Sequence, residues 1–120
     1  KDQKVSNSER LIGEWIYRTT QEKTNGEWKD MPTQVGAEGA QTFYKDGKAL
    51  ITMTFKGEYM EQKFEWNLKD NNDYIINGTV RGQILFESND CFYLYSDETL
   101  DPETGGNIKG EFRDIYDRKK

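Results

Sequence analysis

The sequence predicts an all-β fold, an antiparallel up-and-down meander of about eight strands. Apolar and polar residues alternate with a period of two along several short segments, which is typical of strands wetted on one face. Turn sequences separate these segments, and the 120 residues include 11 glycines but only 2 prolines. Short turns between consecutive strands indicate antiparallel neighbours, and closing such a meander into a barrel removes its exposed edges.

Two segments show the alternation most clearly. Residues 49–55 (ALITMTF) are apolar at odd positions, and residues 60–68 (MEQKFEWNL) are apolar at even positions except for Gln62. In residues 91–95 (CFYLY) both faces are apolar. Less regular alternation marks further strands at residues 74–80, 84–86 and 111–116.

The turn signals divide the chain consistently with these strands. Asn25-Gly26 and Asp46-Gly47 are strong hairpin signals. Gly82 is predicted to turn or bend the chain between two adjacent runs. Two longer connections are expected, over residues 31–40 and 96–110, and the first would flank the mouth of the barrel.

The first ten residues are predicted to be a partly disordered segment or one helical turn. Ser6 and Glu9 have the spacing of a capping box. We expect residues 1–120 to form one barrel domain, because a chain of this length fits one domain of ordinary size. The sequence begins at Lys1, so we expect a mature or trimmed form that lacks a leader.

The composition argues against catalysis and against several kinds of partner. Histidine is absent and Cys91 is the only cysteine, which removes the usual nucleophile–base pairs, most zinc sites and an internal disulfide. A net charge of −5 without a basic stripe argues against nucleic acid as a partner. No apolar run reaches the ~20 residues needed to span a bilayer. We therefore expect a protein that is not an enzyme and that has no cofactor and no metal.

Acidic residues offer two candidate sites, one in a loop and one in the interior. The loop acids do not follow the spacing of an EF-hand, so a solvated hairpin is expected there; they are Asp97, Glu98, Asp101 and Glu103. Asp114 is expected to point inward and to pair with Arg118 or with an inward tyrosine. A single interior acid does not make the pair of carboxylates that acid–base chemistry needs.

Strand parity gathers aromatic side chains on the inward face. They either fill the interior at normal core density or line a cleft for a flat apolar molecule. Gln62 either orients such a molecule or points to water at a bulge or an edge. The residues predicted to bind a ligand are Tyr17, Phe55, Gln62, Phe64, Trp66, Tyr93 and Tyr95.

The segment LIGEW, residues 11–15, carries a resemblance to a known group. A short N-terminal turn followed by Gly-x-Trp on the first strand of a meander resembles the lipocalins and calycins. In length and style the chain is most similar to the small lipocalin-like domains of Bacteroidetes envelope proteins, many of which have no established function. In that group the tryptophan lies across the closed end of the barrel. The resemblance implies that Gly13 and Trp15 are structural residues of the barrel end. It also implies that Arg118, or else Arg113, packs on the indole.

The resemblance also implies a function and a location. It implies a lipocalin-like barrel that binds a small apolar or amphipathic molecule without catalysis. The alternative is an interaction module of the cell envelope with a filled barrel, whose outer residues Leu50, Ile75 and Leu85 seed a contact patch. A secreted, periplasmic or surface-anchored protein, for example a lipoprotein, is expected by resemblance alone. The protein partner, if any, stays open.

Overall fold

The computed structural model describes residues 6–31, 38–55, 57–69, 72–100, 104 and 106–119, without the side chains of Phe55 and Leu100. One short helix precedes nine strands. The elements are α1 (Asn7–Leu11), β1 (Gly13–Thr24), β2 (Glu27–Asp30), β3 (Glu38–Phe43), β4 (Lys48–Phe55), β5 (Glu58–Leu68), β6 (Asp73–Ile76), β7 (Thr79–Ser88), β8 (Cys91–Leu100) and β9 (Asn107–Arg118).

Eight of the strands close an antiparallel barrel, which confirms the predicted fold class. From β3 to β9 each strand pairs with the next along the chain, and β1 pairs with both β3 and β9. The ninth strand, β2, lies outside this circle and pairs with residues 21–24 of β1. At only four residues, β2 is too short to show an alternation in the sequence.

The helix forms as its capping signal predicts. Ser6 is the N-cap, and its side-chain oxygen accepts a hydrogen bond from the backbone N–H of Glu9 at 3.2 Å. The helix then ends at Leu11, whose side chain is fully buried. The Ser8 hydroxyl donates to the Leu68 carbonyl of β5, which ties the helix to the barrel wall.

The turn between β6 and β7 corrects one prediction. The chain reverses at Asn77 and Gly78, whose φ values of 52° and 81° are both positive, as a tight Asn-Gly hairpin turn requires. Gly82 lies inside β7 instead, beside a shift in the β6–β7 register. A Cβ at Gly82 would lie 2.2 Å from the Tyr95 carbonyl oxygen, so glycine is needed there for close approach of β8 and not for a turn.

The predicted connections are shorter than expected because strands extend into them. β8 continues to Leu100 and β9 starts at Asn107, so most of the 96–110 segment is hairpin. β3 starts at Glu38, within the predicted connection over residues 31–40. Residues 32–37, together with Asp101 and Glu103, lie outside the described residues.

The core lies at the end of the barrel that α1 covers. Its largest fully buried side chains are Trp15, Phe43, Phe92, Leu11 and Ile84, whereas the buried Phe112 lies further along β9, opposite Glu22 of β1. The Phe92 ring meets Trp15 edge-on at 4.7 Å and stacks on Tyr116 at 5.0 Å between ring centroids. Residues 58–63 of β5 are all exposed, so the β4–β5 hairpin projects beyond the packed interior.

Candidate functional site

The closed end of the barrel is built on Trp15 and Arg118. The Trp15 indole is fully buried and donates through Nε1 to the Leu11 carbonyl at 2.8 Å. The Arg118 guanidinium lies over the indole, 4.3 Å from the ring centroid, which is the range of a cation–π contact. Arg113, the alternative in the sequence, lies elsewhere, at 4.3 Å over the Trp28 ring.

Arg118 also anchors three chain segments that meet at this end. Its Nη1 and Nη2 donate to the carbonyls of Ile12 and Arg10 at 3.0 and 2.7 Å, and its Nε donates to the Asn89 carbonyl at 3.0 Å. Gly13 makes the approach possible: its φ is +129°, and a Cβ there would lie 2.9 Å from Arg118 Nη1. The Gly-x-Trp sequence therefore places a backbone bend beside the arginine that covers the indole.

We expect Arg118→Lys to lower the free energy of unfolding by about 1–3 kcal/mol. Lysine keeps the charge but cannot reach the Arg10, Ile12 and Asn89 carbonyls in one planar fork. Urea unfolding followed by circular dichroism measures the loss. The matched control is Arg18→Lys, because the Arg18–Asp117 ion pair is solvent-exposed and should change stability by less than about 1 kcal/mol. Equal losses in both variants would contradict the anchoring role.

A hydrogen-bonded chain of three side chains crosses the barrel interior. The Tyr74 hydroxyl of β6 donates to Gln41 Oε1 at 2.5 Å, and Gln41 Nε2 of β3 donates to the Tyr116 hydroxyl at 2.7 Å. All three residues are buried, with Gln41 only 7% exposed. The chain ties together strands that are distant in sequence, and it leaves the hydroxyl hydrogen of Tyr116 without an acceptor among the described contacts.

A second polar chain lies beside the first. The Thr20 hydroxyl donates to Asp114 Oδ1 at 2.6 Å, and the Tyr17 hydroxyl lies 2.5 Å from Thr20 Oγ1. Since the single hydroxyl hydrogen of Thr20 goes to the carboxyl, the Tyr17 hydroxyl donates to Thr20. The expectation that Asp114 pairs with Arg118 is therefore wrong; a threonine links it to an inward tyrosine.

A strand irregularity brings Thr20 to this position. The β1–β9 register pairs Tyr17 with Tyr116 but Thr20 with Asp114, with a shift between Tyr17 and Thr19. Because Tyr116 and Asp114 lie two residues apart on one strand face, the extra residue of β1 turns Thr20 onto the face of Tyr17. The two polar chains consequently share the interior.

Burial shifts the pKa values of the interior acids. Desolvation raises the pKa of Asp114 above its ordinary value, against a smaller lowering by the Thr20 hydrogen bond. Desolvation also raises the pKa of Tyr116 well above 10, and the nearby Asp114 charge raises it further. Both tyrosines of the first chain, Tyr74 and Tyr116, therefore stay neutral hydroxyls at physiological pH.

We expect Asp114→Asn to stabilise the fold at neutral pH. The folded-state pKa of Asp114 lies above the ordinary value of 3.8, so the carboxyl lowers stability progressively as the pH rises above 3.8 and in full above the folded-state pKa. Below 3.8 the carboxyl is protonated in both states and the effect vanishes. Asparagine keeps an oxygen that accepts from Thr20.

Thermal melts of the variant and the parent from pH 4 to pH 8 test this. The stability gain should grow as the pH rises and then level off. The control is Glu111→Gln, which removes an exposed carboxylate from the same strand and should give no such gain. A loss of stability in Asp114→Asn at every pH would contradict the assignment.

The residues predicted to bind a ligand fall into three groups. Tyr17, Phe64 and Trp66 pack against the core and stay partly exposed. Gln62 is paired with Ile51 in an unbroken register, and its side chain is exposed to water. Phe55 belongs to β4, but its side chain lies outside the described part of the structure.

The inward placement of Tyr93 and Tyr95 was wrong. On β8 the residues that belong to the core cluster are Phe92 and Leu94, which alternate with the half-buried tyrosines, so Tyr93 and Tyr95 occupy the opposite, outer face. There the Arg113 guanidinium lies 4.5 Å from the Tyr93 ring and 4.3 Å from the Trp28 ring. Arg113 also donates to Gln21 Oε1 at 2.7 Å, which fixes the guanidinium between the two rings.

An open cleft of about 710 Å³ lies beside this outer cluster. Its walls carry both charge signs and three aromatic residues, and they include Lys23, Trp28, Tyr95, Glu111 and the buried Phe112. Ile75, one of three residues expected to seed an outer contact patch, is 8% exposed and cannot contribute to it. Leu85 is 51% exposed and remains available.

Sequence reasoning missed Gln41, Tyr74 and Thr20 as interior polar residues. The segment just before the Asp46-Gly47 hairpin has the two-residue period of a strand. Its residues of one parity are Gly39, Gln41 and Phe43, and that pattern is a usable signal for β3. The β1 irregularity that turns Thr20 inward leaves no mark in the sequence.

Within the described residues, no group of three or more potential metal ligands converges, and no helix is long and apolar enough to cross a membrane.

Comparison with known proteins supports the architecture. No protein-family model and no curated protein matches the chain. A solved complex of bovine odorant-binding protein with a selenium-containing odorant is 15% identical, with a TM-score of 0.51, and the match covers 100% of this chain and 77% of that one. A structure of odorant-binding protein OBP1 is 11% identical, also with a TM-score of 0.51, over 98% of this chain and 77% of that one. At such identities the likeness shows the fold alone, and that fold is lipocalin-like.

Proposed function

We propose that this chain is a non-catalytic binding protein whose barrel interior holds one small apolar or amphipathic molecule. The observation that carries the proposal is that two inward-facing aromatic rings remain partly exposed. Tyr17 and Phe64 pack against the core yet remain partly exposed, so they keep apolar surface for a ligand. Burying such surface contributes ~25 cal/mol per Å² to binding.

The fold gives this proposal its second support. The similar bovine protein has been solved with an odorant bound, so a barrel of this architecture holds a small molecule in at least one protein. The same fold is the basis for proposing that residues 1–120 act as one domain outside the cytoplasm, whether secreted, periplasmic or anchored to the envelope. Cell fractionation checks the location.

Fluorescence titration with a dansyl-labelled undecanoic acid tests carriage. We expect saturable binding of one molecule per chain, and competition by unlabelled decanol. Tyr17→Ala should weaken binding about tenfold, which corresponds to ~1.4 kcal/mol. Tyr93→Ala is the matched control, because Tyr93 lies on the outer face and its loss should leave affinity unchanged.

Absence of saturable binding across decylamine, decanol, decanoic acid and retinol would contradict carriage. Loss of binding in Tyr93→Ala with normal binding in Tyr17→Ala would also contradict it, because the ligand would then occupy the outer face.

A second candidate function is a protein-interaction module that uses the outer face. The 710 Å³ cleft and the adjacent Trp28–Arg113–Tyr93 cluster favour it. Sedimentation at micromolar concentration tests self-association: a dimer that Leu85→Glu dissociates would support this function, and a monomer with normal ligand binding would leave carriage as the better account.

A further inference from the structure

The Asp114 carboxyl of β9 lies on the strand face that points into the barrel, two residues from the buried Tyr116. Asp114 pairs across the strands with Thr20 of β1 and with buried Leu94 of β8. Ionised carboxylates are costly to bury without a cation or several hydrogen-bond donors. Its only donor among the described side chains is the Thr20 hydroxyl.

The groups that face Asp114 offer it no positive charge. Tyr17 of β1, Tyr74 of β6 and Tyr116 of β9 are the titratable neighbours, and all three are neutral at physiological pH. Arg81 of β7 acts electrostatically on Tyr74 and lowers its pKa, and among the described residues it makes no ion pair with Asp114. Within the described residues, no ion pair includes Asp114.

Asp114 and Tyr116 therefore lack opposite kinds of hydrogen-bond partner. In the part of the chain that the structure describes, the carboxylate lacks further donors, and the tyrosine hydroxyl lacks an acceptor. Thr20 occupies Asp114 Oδ1, and Asp114 Oδ2 can accept further bonds. Tyr116, two residues along the same strand face and thus about 7 Å away, has a hydroxyl hydrogen to donate. An incoming cationic donor would satisfy the carboxylate, and an adjacent acceptor on the same molecule would satisfy Tyr116.

We propose that the molecule held in the barrel carries a protonated amine, and that Asp114 binds this amine. The inference rests on the proposed function, since it names the chemical class of the ligand in the same interior. A charge-assisted bond between an ammonium group and a carboxylate in a water-poor interior is stronger than a neutral hydrogen bond. The apolar part of the ligand would lie against Tyr17 and Phe64.

The test compares decylamine, decanol and decanoic acid, below their micelle concentrations, by isothermal titration at pH 7. The parent protein should bind decylamine at least tenfold more tightly than decanol, and decanoic acid most weakly. Asp114→Asn should bind amine and alcohol equally. Glu111→Gln, which removes an exposed carboxylate of the same strand and of the outer cleft, should keep the preference. Circular dichroism melts establish that each variant is folded.

The possible outcomes separate the two proposals. Equal binding of amine and alcohol by the parent, or a preference that survives Asp114→Asn, overturns the amine assignment and leaves carriage standing. A preference abolished by Glu111→Gln overturns it too, because the amine would then bind in the outer cleft. If none of the three molecules binds to the folded parent, carriage fails, and the amine assignment fails with it.

Discussion

Replacing Trp15 with alanine is expected to lower the free energy of unfolding by about 3–5 kcal/mol. The indole is fully buried, it contacts the rings of Phe92 and Phe86, and its Nε1 satisfies the Leu11 carbonyl. Its removal leaves a cavity at the closed end and takes away the surface on which Arg118 stacks. Such a loss is a large part of the ~5–15 kcal/mol that stabilises a typical domain.

Urea unfolding followed by far-ultraviolet circular dichroism measures this loss without relying on tryptophan emission. Trp28→Ala is the matched control, because Trp28 is only partly buried on the outer face and its contact with Arg113 is worth about 1 kcal/mol. Equal losses of unfolding free energy in the two variants would contradict the claim that the closed end contributes more to stability than the outer face.

Replacing Gly82 with alanine is expected to cost about 3 kcal/mol or more. The added Cβ would lie 2.2 Å from the Tyr95 carbonyl oxygen and 3.3 Å from the Tyr95 carbonyl carbon. Backbone atoms of a paired strand cannot move aside as a flexible side chain can. The β7–β8 pairing must therefore open locally, which also disturbs the outer cleft beside Tyr95.

Gly39→Ala is the control for this substitution. Gly39 also lies in a barrel strand, and a Cβ there would meet the Tyr17 Cβ at an ordinary 3.5 Å. We expect its stability to change by less than about 1 kcal/mol. A Gly82→Ala protein that unfolds at the same urea concentration as Gly39→Ala would refute the close approach of β7 and β8.

The sequence was sufficient for the architecture because strand alternation and Asn-Gly or Asp-Gly turns are local signals. For the closed end the sequence offered Arg118 or else Arg113, and the structure places Arg118 over the indole. The sequence was insufficient for Tyr93 and Tyr95, because both faces of the CFYLY segment are apolar and parity alone cannot choose between them.

Local patterns in the sequence could not predict the hydrogen-bonded chains of the interior. Gln41, Tyr74 and Tyr116 come from β3, β6 and β9, and only the closing of the barrel brings them together. Thr20 reaches Asp114 through a one-residue irregularity in β1. Such features depend on the register between distant strands, which the period of a single strand does not specify.

The central claim is that the ligand lies inside the barrel, and amide-detected nuclear magnetic resonance tests it most directly. The side-chain amide of Gln41 reports on the interior, and the indole N–H of Trp28 reports on the outer cleft. During titration with decylamine, the Gln41 side-chain signals should shift in a saturable manner while the Trp28 indole signal stays in place. A saturable shift of the Trp28 indole with unmoved Gln41 signals would contradict the account.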